Sequence, residues 1–333
     1  MIKPIDNYTS KLSLLDTEKA IKFVKDNFEN ELASALNLIR VSAPLFVDKA
    51  SGLNDDLNGI ERPVTFDILS LDKDVEIVQS LAKWKRNALR KYNFDKEEGL
   101  YTDMNAIRRD ETLDNIHSVY VDQWDWEKII DKSERNLNYL FETVRTIFKV
   151  LNKIEDKVNS KYNVLSKKLP DTIHFISTAE LEKLYPSSTR KEREYNICKK
   201  YKAVFIYEIG WPLKDHMPHD GRAADYDDWK LNGDILVYDK VLDIGLELSS
   251  MGIRVDEDSI LKQLEYKEEY FKLESPYTKD IINKNLPYTI GGGIGQSRIC
   301  LFYLEKAHIG EVQSSSWSKE DIDEALKNNI HLL

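Results

Sequence analysis

The chain opens on a helical stripe: Ile21, Val24, Phe28, Leu32 and Leu36 recur at three- and four-residue intervals, with Thr17 as candidate N-cap. Runs at 63–68 and 75–80 read as strands and 81–92 as a helix. Alternation over 118–126 predicts a strand with Val119, Val121, Gln123 and Asp125 on one face. A second long apolar stripe, from 137 to 158, predicts a helix that packs in the core or between subunits. Further strands are expected at 172–176, 203–210, 234–238 and 244–250, and helices at 190–201, 256–269 and 296–306. Strands come in groups instead of alternating with helices. That order favours an α+β fold, a mainly antiparallel β-sheet flanked by helices, over a doubly wound parallel sheet. No repeat, low-complexity stretch or Pro/Gly linker divides the chain, so residues 1–333 are expected to form one domain.

Composition narrows the classes. Of 333 residues, 41% are hydrophobic and 32% charged, as in a well-solvated globular protein. Lys and Arg total 48 against 58 Asp and Glu, a formal charge of −10. A broad nucleic-acid binder is normally basic, so no nucleic-acid partner is expected, and an anionic ligand must find a local basic pocket. No apolar run approaches the ~20 residues of a membrane span, and positions 1–6 lack a secretory leader's apolar stretch. Cys198 and Cys300 lie far apart without zinc spacing and read as reduced packing residues. These features point to a cytoplasmic protein.

Several segments carry candidate chemistry. The run Thr289-Ile290-Gly291-Gly292-Gly293-Ile294-Gly295-Gln296-Ser297-Arg298 fits neither a dinucleotide fingerprint nor a P-loop. Its glycines permit close backbone approach, and the helix behind them aims free N–H groups at an anion. Arg298, in the first turn, opposes the macrodipole unless an anion sits nearby. A tight strand-to-helix turn with a solvated arginine explains the run equally well. The cluster Lys83-Trp84-Lys85-Arg86 is either a solvated helix face or a pocket for carboxylates or phosphates. Arg108 and Arg109 are similarly ambiguous, and the acidic series from Asp220 to Asp228 reads as a solvated loop. Asp234 and Glu247 differ, because each lies on an apolar strand, where two carboxylates can share Mg²⁺ with a nucleotide phosphate. No serine or cysteine has the setting of a catalytic nucleophile.

Together, the segments 80–86, Gly99-Leu100-Tyr101-Thr102, 117–127, Asp225-Tyr226-Asp227-Asp228-Trp229, 247–254 and 289–298 resemble the ammonia-dependent aspartate–ammonia ligases, the A-type asparagine synthetases. The likeness runs in order over nearly the whole chain, although Arg109 stands where that family's pattern has a proline. The resemblance implies the catalytic fold of class II aminoacyl-tRNA synthetases, a homodimer, and conversion of L-aspartate, ammonia and ATP to L-asparagine, AMP and pyrophosphate through a β-aspartyl-adenylate, with Mg²⁺. It also implies residue roles. Arg108 would brace the α-phosphate, and Arg298 the triphosphate tail and adenine. Asp234 and Glu247 would hold Mg²⁺, and Lys85 a substrate carboxylate. Gln123, Asp125 and Asp227 would read the amino end, and Ser80, Ser250 and Gly292 would complete the amino-acid pocket. Asp55 would steer ammonium or accept its proton. Simple alternation sets Ser250 opposite Glu247, so the two can share a site only across a bulge or at a strand end.

Overall fold

The computed structural model describes residues 2–54, 57 and 61–333. Its centre is a sheet of eight strands: β1 (Leu38–Arg40), β5 (Gly99–Ile107), β6 (Tyr120–Ile129), β7 (His174–Ser177), β8 (Ala203–Tyr207), β9 (Asp227–Asp239), β10 (Ile244–Arg254) and β11 (Thr289–Gly295). The remaining strands, β2 (Phe46–Asp48), β3 (Thr65–Ile68) and β4 (Lys73–Ile77), pair separately as a small antiparallel sheet. In space the large sheet runs β1-β5-β6-β11-β10-β9-β8-β7. Only its two outer pairings are parallel, so the fold is α+β on a mainly antiparallel sheet.

Each face of the sheet is covered by the apolar stripes of helices. Phe28 and Leu32 of helix Leu14–Leu36, Val144 and Leu151 of helix Leu137–Lys161, and Ile299 and Phe302 of helix Gln296–Tyr303 pack on one face with Trp124, Trp126, Ile235 and Ile253. Phe28 stacks on Trp124 with ring centroids 4.4 Å apart. Helices Ala82–Lys91 and Arg190–Tyr201 cover the opposite face, through Leu89 against Leu100 and Ile197 against Leu236. Burying such side chains contributes about 1.5–3 kcal/mol each.

Several local expectations change. The first helix is capped by Ser13, whose side chain accepts from the Asp16 N–H, while Thr17 lies buried one turn later. Glycine-rich 289–295 is a strand and not a turn, because it runs between two strands where side chains would not fit. A Cβ on Gly291 would lie 2.0 Å from Glu127 Oε2, and one on Gly292 2.5 Å from Met251 Cβ. Asp227 and Asp228 are not solvated loop residues; they open β9 and are buried.

Candidate functional site

Pairing across the sheet brings separate segments into one row. Asp125 of β6 lies opposite Gly293 of β11, Gly293 opposite Ser250 of β10, and Ser250 opposite Asp234 of β9. Beside this row the register slips between Glu247 and Ser249, leaving Leu248 as an extra residue. The bulge turns Glu247 and Ser250 to the same face, which simple alternation forbids. Above them opens a cavity of about 410 Å³, lined by Arg108, Gln123, Glu247, Ser250 and Arg298 among others.

Beneath its floor lies a buried layer of charge. The Lys85 ammonium donates to the Asp125 carboxylate and to the carbonyls of Trp126 (3.0 Å) and Gly292 (3.2 Å). The Arg254 guanidinium donates to Glu127 at 2.6 Å and to Asp227 at 2.5 Å, and Thr289 donates to Glu127 at 2.6 Å. Burial lowers the Lys85 pKa and raises that of Asp125, against their mutual attraction. Burial also opposes ionisation of Glu127, yet Arg254 and Lys85 hold its carboxyl below the ordinary range. The cation cluster around Trp84 is therefore no solvated face: Lys83 pairs with Asp225 at 2.6 Å, and Arg86 donates to the carbonyls of Val255 and Pro287.

The sequence-predicted residues thus fall into groups. Arg108, Gln123, Glu247, Ser250 and Arg298 share the cavity wall, while Lys85, Asp125 and Asp227 sit in the layer below. Gly293 faces the cavity; Gly292 contributes its carbonyl to Lys85. Ser80 accepts from the Ala82 N–H (3.1 Å) at the start of helix Ala82–Lys91, and Asp55 lies outside the described residues. The Arg108 Nε is buried without a hydrogen-bond partner on the cavity wall. Arg298 donates to the Glu247 carbonyl at 3.1 Å and stands 3.8 Å from its carboxylate.

Asp234 bears on the expected metal ion. Burial, reinforced by Glu247 and Asp220 and opposed by Arg222, pushes its carboxyl up to about 7. Its Oδ1 is buried without a partner. Among the described residues no cluster of three or more His, Cys, Asp or Glu could hold a metal alone. Two carboxylates with a free oxygen fit Mg²⁺ carried on phosphates, since that ion is commonly held by one or two carboxylates plus substrate oxygens.

Reading the sequence missed Arg222, Glu127 and Arg254. Arg222 pairs with Asp234 and Asp220 at the cavity edge. Its signal was a lone cation inside an acidic run. For Glu127 the signal was present: Gln123, Asp125 and Glu127 alternate as polar positions on one strand face.

A family model described as aspartate-ammonia ligase matches residues 15–329. An aspartate–ammonia ligase of Clostridium perfringens is 60% identical over 328 residues, 98% of both chains. That of Ruminiclostridium cellulolyticum is 58% identical over 100% of this chain and 99% of its own. Among solved structures, asparaginyl-tRNA synthetase from Pyrococcus horikoshii complexed with asparaginyl-adenylate has a TM-score of 0.66 at 15% identity, covering 90% of this chain and 68% of that one. An Entamoeba histolytica aspartyl-tRNA synthetase has 0.60 at 14%, covering 91% and 58%. These two likenesses are of fold.

Proposed function

The chain belongs to the aspartate–ammonia ligase family, and from that premise we propose how its residues join ammonia to the side-chain carboxylate of L-aspartate. ATP drives the reaction and leaves as AMP and pyrophosphate. The carrying observation is one cavity lined by Arg108, Arg298 and Glu247 together with Gly293 and Ser250, the middle of the row Asp125–Gly293–Ser250–Asp234.

In the first step the aspartate side-chain carboxylate attacks the α-phosphorus. An O–P bond forms, pyrophosphate departs, and a β-aspartyl-adenylate results. Positioning and neutralisation of phosphate charge dominate such a step. Arg108, with its Nε unpartnered on the wall, supplies one cation to the α-phosphate; Arg298 supplies another to the triphosphate tail and adenine. Asp234 and Glu247 would hold Mg²⁺, which when bound neutralises phosphate oxygens. Lys85 attracts a substrate carboxylate from beneath the floor. Gln123, Asp125 and Asp227 accept from the amino group, and Ser80, Ser250 and Gly292 shape the pocket around it. In the second step ammonia attacks the activated carbonyl and AMP leaves. Asp55 is assigned to steer ammonium or take its proton.

We place residues 1–333 in one catalytic domain and read the enzyme as a homodimer. The homodimer is what the family resemblance implies. Among the described residues no helix is long and apolar enough to cross a membrane. The two buried free cysteines support the reducing cytoplasm. The test is a product assay with aspartate, ATP, Mg²⁺ and either ammonium or glutamine. Asparagine and AMP should form with ammonium and without tRNA. AMP release that requires tRNA would instead mark a synthetase core.

A further inference from the structure

We infer that Arg222 is a placeholder for the divalent cation: it neutralises Asp234 and Asp220 while the site is empty, and moves to the triphosphate when nucleotide brings the ion. This rests on the assignment of Asp234 and Glu247 to the ion. The Arg222 side chain is only 10% exposed. One terminal nitrogen binds Asp234; the other binds Asp220 Oδ2 and the Gly221 carbonyl, each at 2.8 Å.

The pairing is incomplete on both sides. Arg222 Nε and Asp234 Oδ1 are both buried without hydrogen-bond partners. A guanidinium settled permanently on a carboxylate normally uses its fork in two parallel bonds, because each unmade buried bond is unfavourable. Each partner thus keeps one buried polar atom in reserve, and Arg222 itself lines the cavity. Glu247, also near Arg222, has a looser cation beside it: Arg298 donates to its backbone carbonyl and stands 3.8 Å from its carboxylate. Both carboxylates assigned to the ion thus already have an arginine beside them.

Charge then dictates an exchange. A free divalent ion entering this site would face the guanidinium already there and would have to expel it into solvent. A triphosphate offers the guanidinium new oxygens, to which arginine binds in fork geometry. Arginine–carboxylate pairs become arginine–phosphate and carboxylate–cation pairs, and Asp220, whose side chain is 53% exposed, is left to solvent. Ion uptake thereby depends on nucleotide. In the empty protein, Arg222 spares buried Asp234 an unpaired charge.

Mn²⁺ binding to the whole protein, followed by electron paramagnetic resonance, tests this without reference to turnover. Without nucleotide, Arg222→Gln should bind Mn²⁺ about tenfold or more tightly than the unaltered protein. Adding Asp234→Asn to that variant should abolish the gain. An unchanged Mn²⁺ affinity in folded Arg222→Gln, or a gain that survives Asp234→Asn, overturns the placeholder. Should Arg222→Gln not fold, Arg222→Lys, with a cation but no fork, should give an intermediate gain, and none would overturn the inference equally. The underlying assignment has its own readout. Glu247→Gln should weaken Mn²⁺ binding in the presence of a non-hydrolysable ATP analogue; if it does not, the carboxylate assignment fails whatever Arg222 does.

Discussion

Alanine placed singly at Gly291 and Gly293 should separate stability from substrate binding, although both lie on β11. At Gly291 the added Cβ would stand 2.0 Å from Glu127 Oε2 and 2.7 Å from Arg254 Nη2. Ordinary contact needs about 3.5 Å, so the carboxylate must retreat by roughly 1.5 Å. Glu127 is fully buried, held by Arg254 through bonds of 2.6, 2.9 and 3.0 Å and by Thr289 at 2.6 Å. Such a shift breaks at least one of them, and a lost hydrogen bond to a buried charged group costs about 1.5–3 kcal/mol. For a chain of 333 residues, unfolding entropy of about 2.1 cal/mol/K per residue converts that to a Tm lower by roughly 2–4 °C. At Gly293 the new Cβ would meet Gln123 Oε1 at 2.2 Å and no atom of another residue nearer than 3.4 Å. Gln123 lines the cavity and can swing into it. Tm should therefore fall little, while loss of one hydrogen bond to charged aspartate, about 1.5–3 kcal/mol, should raise KM roughly 10- to 100-fold. Thermal melts and aspartate titrations of both variants provide the check. Equal losses of Tm, or an unaltered KM in Gly293→Ala, would refute the argument.

Arg108→Ala should lower kcat by about 10²–10³, the effect of removing one preorganised donor from developing charge. Near-normal AMP formation would take Arg108 out of the adenylation step. Stability should also fall in mild acid because of His308. Burial pushes this imidazole down to about 4, and its Nε2 is buried without a partner. An unfolded histidine titrates near 6.5, so between those values the unfolded chain binds more protons and stability drops as pH falls, by roughly 3 kcal/mol in all. Denaturant melts of the unaltered protein and His308→Gln across pH 4 to 6.5 should diverge in slope; parallel curves would exclude His308.

The fold was legible because its helices carry long apolar stripes and its strands arrive in groups. Phe28, Leu32, Val144 and Leu151 are buried as their spacing requires. The glycine-rich strand was not legible, because period-two reading needs side chains, and Gly291, Gly292 and Gly293 have none. Sequence shows the space that glycine leaves, but not that Glu127 and Gln123 fill it. The site was legible by a different route, as blocks resembling one family. Alternation alone set Ser250 against Glu247. The bulge at Leu248 resolves that conflict through backbone pairing that no single strand encodes. Arg222 stayed hidden because an arginine among aspartates looks the same in a solvated loop and in a half-made buried pair.

The charged layer beneath the cavity needs a reason other than stability. Replacing a buried ion network by matched apolar side chains is often neutral or stabilising, so electrostatics alone do not account for Lys85, Asp125, Glu127, Asp227 and Arg254. Their bonds are directional. Lys85 ties helix Ala82–Lys91 to β6 and to the Gly292 carbonyl of β11, while Arg254 of β10 ties Glu127 of β6 to Asp227 of β9. Four strands and a helix are thereby locked in one register directly under the row Asp125–Gly293–Ser250–Asp234. Apolar packing would tolerate small slips among these elements, but a site whose acceptors and cations come from different strands would not. The polar layer is the part of the core that fixes where the site's residues meet.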